Sequence, residues 1–383
     1  MSKQKPKPSR KEKISKLPRL LILLVFVAAF TGVGLFAMGN VRLSPISDLQ
    51  LLGRQGDGFP IEFSYSHARQ AAAMGNSVAL LGPTQFDIVS QNGYRSVQFA
   101  QPYAMPALRT AGNRAVLFDR NLGNITMFRR GGILATHEMG QSIFTVDINP
   151  QGAIAVATRS DRAAAEIFVY NPRARQQLHW QIEREHPVAL RLSNNGRVLA
   201  MCLAGTEQAG VYARFVDFPL NAQQPRTDIR LPGVWLYDTA SIAGGWLAVG
   251  NEAVYLIRHG ASTAEELSFG GRTLRGFSLQ NNGYSAVLLE DWDHQVLLRV
   301  YNSRGTLAAE HTLEQQPYSV IAQGRAVYLH MGDMVLRWRP NGFSQSQPLP
   351  AGTQSVVIAG REVYALSVRH VEHMRLRWSA ADV

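Results

Sequence analysis

Eight times, the chain writes a glycine-bearing turn and follows it at once with a short apolar run. The stretches are "MGNSVALLG" (74–82), "AGNRAVLFD" (111–119), "PQGAIAVAT" (150–158), "NNGRVLAMC" (194–202), "AGGWLAVGN" (243–251), "NNGYSAVLL" (281–289), "AQGRAVYLH" (322–330) and "AGREVYALS" (359–367). Their turn glycines are Gly75, Gly112, Gly152, Gly196, Gly245, Gly283, Gly324 and Gly360, at steps of 36 to 49 residues. A fixed period of this length marks one supersecondary unit copied along the chain. Glycine recurs because a tight turn calls for positive φ, which glycine adopts at little cost.

Around each turn the pattern is constant. An apolar run such as "FTVDI" or "VALRL" precedes it. A third run follows the alternating second one, as in "EIFVYNPRA" (166–174), "VLLRVYNSRG" (296–305) and "MVLRWRPNG" (334–342). A weaker fourth run, such as "QLHWQI" or "LAAEHTL", completes the unit. Four short strands per unit, with no helical period between them, predict an all-β fold: a β-propeller of about eight four-stranded blades. A β-sandwich rarely repeats eight times, and a β-solenoid uses shorter and more uniform repeats. The final unit holds only "TQSVVIA", "REVYALSV" and "MRLRWS". Its outer strand is therefore expected from the start of the domain, at "SDLQLL" (47–52), which would cover an open sheet edge.

The first 46 residues read differently. Residues 20–38, "LLILLVFVAAFTGVGLFAM", carry no charge. At ~1.5 Å per residue they extend roughly 28 Å, close to the hydrocarbon thickness of a bilayer. Eight basic residues and one acid precede them in residues 1–19. This predicts a basic cytoplasmic tail (1–19), one transmembrane helix (20–38), a linker (39–46) and a propeller (47–383) held outside the cell membrane. A cleaved signal peptide is the alternative, although the apolar run exceeds the usual h-region. Of the formal net charge of +11, the tail supplies +7. The main domain is nearly balanced, which speaks against a nucleic-acid partner. Every lysine falls within the first sixteen residues and all later basic side chains are arginines. Either genomic bias or an arginine-lined surface for anions accounts for that.

Several stretches together resemble a membrane-anchored propeller family catalogued as domain of unknown function 5711. They are "DGFPIEF" (57–63), "AMPALRTAGNRAVLFDRNLGNITMF" (104–128) and "VDINPQGAIAVATRSDRAAAEIFVYN" (146–171). The resemblance implies a cytoplasmic tail, one membrane helix and an external propeller. It implies no catalytic residue. The Gly-His and Trp-Asp signature of WD40 repeats is missing, and the one Trp-Asp pair, Trp292-Asp293, is expected in a loop.

Chemistry-bearing motifs are sparse. There is no nucleophile elbow, no H-E-x-x-H and no phosphate-binding G-x-x-x-x-G-K. No cofactor and no metal are expected. His370 and His373 read as a solvated loop, and the lone Cys202, within an apolar run, reads as a packing residue. The second-to-third and blade-to-blade connections, such as 203–211 and 98–106, are expected to be longer than the other turns and to share one face. Binding residues concentrate on variable loops of rigid scaffolds. Tyr103, Arg159, Asp161, Asp291 and Trp292 are therefore the candidate contact residues, with Trp292 as an apolar anchor. The functional expectation is a non-catalytic module that binds a protein or an envelope component. The alternative is an enzyme, a hydrolase or a quinone-cofactor dehydrogenase, with its site on the propeller axis.

Overall fold

The computed structural model describes residue 54, residues 56–375 and residues 377–380. The tail, the apolar span, the linker and the expected closing strand at 47–52 lie outside the described residues. Among the described residues no helix is long and apolar enough to cross a membrane.

The described chain forms eight antiparallel sheets. Blade one runs through Gln70–Met74, Ser77–Leu81, Gln85–Val89 and Arg95–Ala100, from inner to outer strand. Blades two to six repeat this order over 106–138, 143–182, 186–232, 236–268 and 273–313, blade seven begins at 319 and blade eight at 355. The count of eight follows directly from the turns read in the sequence.

The reason lies in the second strands. Ser77–Leu81 and Ile154–Thr158 are buried at every position. In blade one Ala79 and Leu81 pack toward blade two, while Val78 and Leu80 pack toward blade eight. In blade three Ala155 and Ala157 face blade four, while Ile154 and Val156 face blade two. The sequence pattern read as alternating is thus buried on both faces, because each blade is sandwiched between two others. The core accordingly consists of eight apolar layers, one at each blade-to-blade junction. Each fully buried Leu or Val there contributes roughly 1.5–3 kcal/mol of transfer free energy. Cys202 is fully buried in the layer between blades four and five, and burial pushes its thiol pKa up.

Positive φ falls where expected in six of the eight turns, for example at Gly75 (φ 63°) and Gly112 (φ 55°). In blade five it moves to Gly244 (φ 78°), and in blade six Asn282 adopts it (φ 55°). Asparagine tolerates this region because its short polar side chain bonds locally.

The ring closes through a composite last blade. Its three C-terminal strands are Ser355–Ala359, Glu362–Leu366 and His370–Met374, and its outer strand is Ile61–Glu62. Ile61 pairs with Val371, Glu62 pairs with His370, and the Phe63 N–H donates to the Arg369 carbonyl at 2.8 Å. A segment near the start of the domain thus covers the edge. Two expectations are corrected here. The third strand of blade eight is not "MRLRWS" but His370–Met374, so the two histidines lie in a strand and not in a loop. Residues Trp378–Ala380 leave blade eight and pair with Gly342–Ser346, which makes blade seven five-stranded.

Candidate functional site

In each blade the first-to-second and third-to-fourth turns lie at one end of the ring, called here the turn face. The second-to-third turns and the blade-to-blade connections lie at the opposite end, the connection face. The expected difference in loop length between them is not found. Second-to-third connections are as short as two residues (208–209, 251–252), whereas the third-to-fourth turn of blade four takes seven (220–226). Residues 203–211 are no loop. They belong to a hairpin of two ten-residue strands, Val198–Glu207 and Gly210–Pro219. Its polar tip reads as loop in sequence, but the ladder continues past the packed part of the sheet.

All five candidate residues do lie on the connection face. Tyr103 sits between blades one and two, Arg159 and Asp161 in blade three, and Asp291 and Trp292 in blade six. The structure therefore places them in three separate sectors and does not bring them into one site. Tyr103 is half-buried, its hydroxyl lies 2.6 Å from Thr126 Oγ1, and burial raises its pKa. It braces the layer between blades one and two. Asp161 accepts from Gln141 Nε2 at 2.8 Å. Arg159 is exposed, and its backbone N–H donates to the Ser142 carbonyl.

The blade-six loop is built to hold its tip still. Asp291 Oδ1 accepts from the backbone N–H groups of Asp293 and Gln295, both at 3.0 Å. His294 adopts φ 64° and places Nδ1 2.5 Å from Glu290 Oε1. Glu290 is buried and also paired with Arg275. With its own carboxylate and its backbone satisfied, the loop presents Trp292 with 88% of its surface in solvent.

Trp292 has company that the sequence pattern does not reveal. Among the described residues, ten large apolar side chains are exposed. Six stand in connections of this face: Met105, Leu122, Trp235, Trp292, Tyr318 and Val368. Val211 and Tyr237 are second residues of strands that leave the same face. Only Ile133 and Leu307 lie elsewhere, at the start of outer strands. The aromatic members concentrate in three consecutive blades. Trp235 and Tyr237 open blade five, Phe277 of blade six stacks on Tyr237 at 6.4 Å, and Tyr318, 76% exposed, opens blade seven. A sequence signal exists in "GVWLYD", where a Gly-led connection ends in large aromatics.

The axis carries a second cluster. Arg109, Asp147, Arg191 and Asp238 come from the inner strands of blades two, three, four and five. Arg191 clamps Asp238 through Nε at 2.9 Å and Nη2 at 2.5 Å, and reaches Asp147 through Nη1 at 3.2 Å. The other oxygen of Asp147 accepts from the Leu192 N–H at 2.7 Å, and Asp238 Oδ1 also accepts from the Thr239 N–H at 2.8 Å. Burial works against the charge on Arg191, yet the two carboxylates outweigh it and raise its pKa. Burial lowers the pKa of Arg109, and the nearby Arg191 adds to that push. Both carboxylates thus bond inside the cluster, which ties blades three, four and five together beside the Arg109 guanidinium of blade two. Among the described residues no group of three His, Cys, Asp or Glu side chains is arranged to hold a metal ion. His373 instead lies 2.7 Å from Glu362, and His370 lies 3.1 Å from Glu372.

Fold and site together define a closed eight-bladed β-propeller with an aromatic sector on one face. Residues 57–224 match the model described as "Family of unknown function (DUF5711)", the family that the sequence resembles. No curated protein matches the chain. Among solved structures, the C-terminal WD40 domain of Sif2 is similar at 10% identity with a TM-score of 0.57, covering 84% of this chain and 99% of that one. Chaetomium thermophilum Sqt1, solved bound to the N-terminus of the ribosomal protein L10, is similar at 13% identity with a TM-score of 0.56, covering 82% and 98%. Kuenenia stuttgartiensis hydrazine synthase is similar at 12% identity with a TM-score of 0.50, covering 74% and 98%. At such identities the likeness concerns the fold alone.

Proposed function

We propose that this propeller is a non-catalytic binding module that takes a protein or envelope component on its connection face, with the aromatic sector of blades five to seven as the contact. The supporting observation is the lopsided placement of exposed apolar side chains, eight of ten on one face. Clustered exposed apolar surface on a rigid scaffold marks interaction sites, and Trp and Tyr dominate contact energies. Trp292 at the tip of a fixed loop loses little freedom on binding. That another propeller of this fold was solved with a protein segment bound agrees with the reading. The axial alternative has less support, since every oxygen of the two aspartates there already accepts from Arg191 or a backbone N–H.

The proposal includes its setting: residues 20–38 anchor the chain in the bilayer and the propeller works outside the membrane. Protease added to intact cells would then remove the propeller and spare the tail, and a propeller protected until the membrane is breached would reverse the topology. For the binding face, a photo-crosslinking residue is placed in the full chain at position 235, 292 or 318, and at position 325 on the turn face. Adducts at the first three and none at 325 are expected. Adducts confined to 325, or to no position, would discard the face.

A further inference from the structure

Among the described residues, the junction of blades seven and eight gathers arginines without matching acids. A cleft of about 400 Å³ opens there, lined by Arg337, Arg339, Arg361, Arg375, Tyr328 and Trp378 among others. Arg337 and Arg339 are two apart on the strand Val335–Arg339 and so share a face of blade seven. Arg361 comes from the two-residue turn of blade eight, and Arg375 follows its third strand.

Among the described residues, the carboxylate beside them is already used. Glu362 is buried and takes Arg375 Nη2 at 2.9 Å and His373 Nε2 at 2.7 Å. Arg337 donates through Nε to Ser344 Oγ at 3.1 Å, and its guanidinium lies over the Trp378 ring, 4.0 Å from the centroid. Both contacts fix its plane without neutralising it. Arg339 and Arg361 are exposed, and neither makes an ion pair among the described residues. Three like charges converging on one cleft add nothing to folding. Burial, with Arg339 close by, lowers the pKa of Arg337. An oxyanion between the forks would remove that repulsion.

We infer that this cleft is a binding site for a phosphate-bearing anion, held by Arg337, Arg339 and Arg361. Guanidinium forks match the paired oxygens of phosphate, which a lysine ammonium does not. The cleft has room for a pyrophosphate or a phosphodiester rather than one phosphate alone. It lies by the turns of blades seven and eight, away from the aromatic sector, so it stands or falls independently of the proposed protein contact. A soluble phosphate compound and a lipid headgroup present the same chemistry.

The test is calorimetric titration of inorganic pyrophosphate into the full chain in a nonionic detergent, at low salt. Saturable binding is expected, weakened at least tenfold in the double variant R339Q/R361Q and unchanged in R197Q, an exposed arginine on blade four. The basic tail is common to all three proteins, so their differences report the cleft. Both substituted side chains are exposed, and an unchanged Tm verifies folding. Absence of saturable binding by the parent, or equal affinity in the double variant, would overturn the site. Vesicles of phosphatidylglycerol, but not of phosphatidylcholine, would displace pyrophosphate from the cleft if the source is a headgroup. Failure of both to displace it assigns a soluble or polymeric phosphate.

Discussion

The two ends of the ring are made of the same turns and strands, yet they are finished differently. The turn face is stitched from blade to blade. Tyr364 of blade eight donates to the Asn76 carbonyl of blade one at 2.5 Å. Asn281 of blade six accepts from the Ser241 N–H of blade five at 2.9 Å and donates to the Leu192 carbonyl of blade four at 3.0 Å. The Tyr284 N–H donates to the Gly324 carbonyl of blade seven at 2.9 Å. The connection face also bonds loop to loop, as where the Ile143 N–H donates to the Arg120 carbonyl of blade two at 3.1 Å, but its stitches reach only the adjacent blade and it leaves aromatic rings in water. A buried polar group left without its partner is costly, whereas an exposed ring contributes little to stability. Both ends therefore tie blades together, but the exposed rings are concentrated at only one of them.

That contrast can be broken by substitution, beginning with the largest effect. Tyr364→Ala removes a fully buried ring from the closing layer as well as its bond to Asn76, and should cost about 3–5 kcal/mol by denaturant unfolding. Asn281→Ala leaves the Ser241 N–H and the Leu192 carbonyl unpaired and should cost about 1–3 kcal/mol, with crosslinking at position 292 unaffected. His330 tests what lies under the connection face. It is buried beneath Tyr318, and burial lowers its pKa from the ordinary 6.5. The fold therefore favours neutral His330, and the unfolded chain takes up the proton first. Stability should decline as pH falls below about 6.5, and the decline in Tm should be shallower in His330→Gln. Trp292→Ala should shift stability by no more than about 0.5 kcal/mol while reducing the adducts formed through position 318 of the same face. A Trp292 variant as unstable as the Asn281 variant would erase the distinction between the faces.

The blades were legible in the sequence because their second strands are buried on both sides and write continuous apolar runs behind each turn. The closing strand was not legible. Two residues, Ile61 and Glu62, carry no period, and their pairing with Val371 and His370 depends on a ring already formed. "HVEHM" was missed as a strand because only Val371 is buried and its histidines pair with nearby carboxylates. Trp292 was legible as a large ring within a polar loop, whereas its sharing one face with Trp235 and Tyr318 becomes visible only when blades five, six and seven stand side by side. Tyr103 reads in the sequence as a loop aromatic, and its bond to Thr126 on a different strand emerges only in the fold. The axial cluster spans residues 109 to 238, so no local pattern could announce it.

The composite last blade also sets the order of events by which the ring comes to exist. Blades one to seven each find a neighbour a few dozen residues along the chain, so they can dock in succession. The closing contact joins Asn76 to Tyr364 across 288 residues. The entropy of such a closure grows only with the logarithm of its length, so the finished ring loses little by it. The wait is another matter, since contacts distant in sequence form late. Until blade eight is in place, the side of blade one that carries Val78 and Leu80 stays bare. During that interval a second chain can reach it first, and the yield of folded rings then depends on dilution as much as on stability.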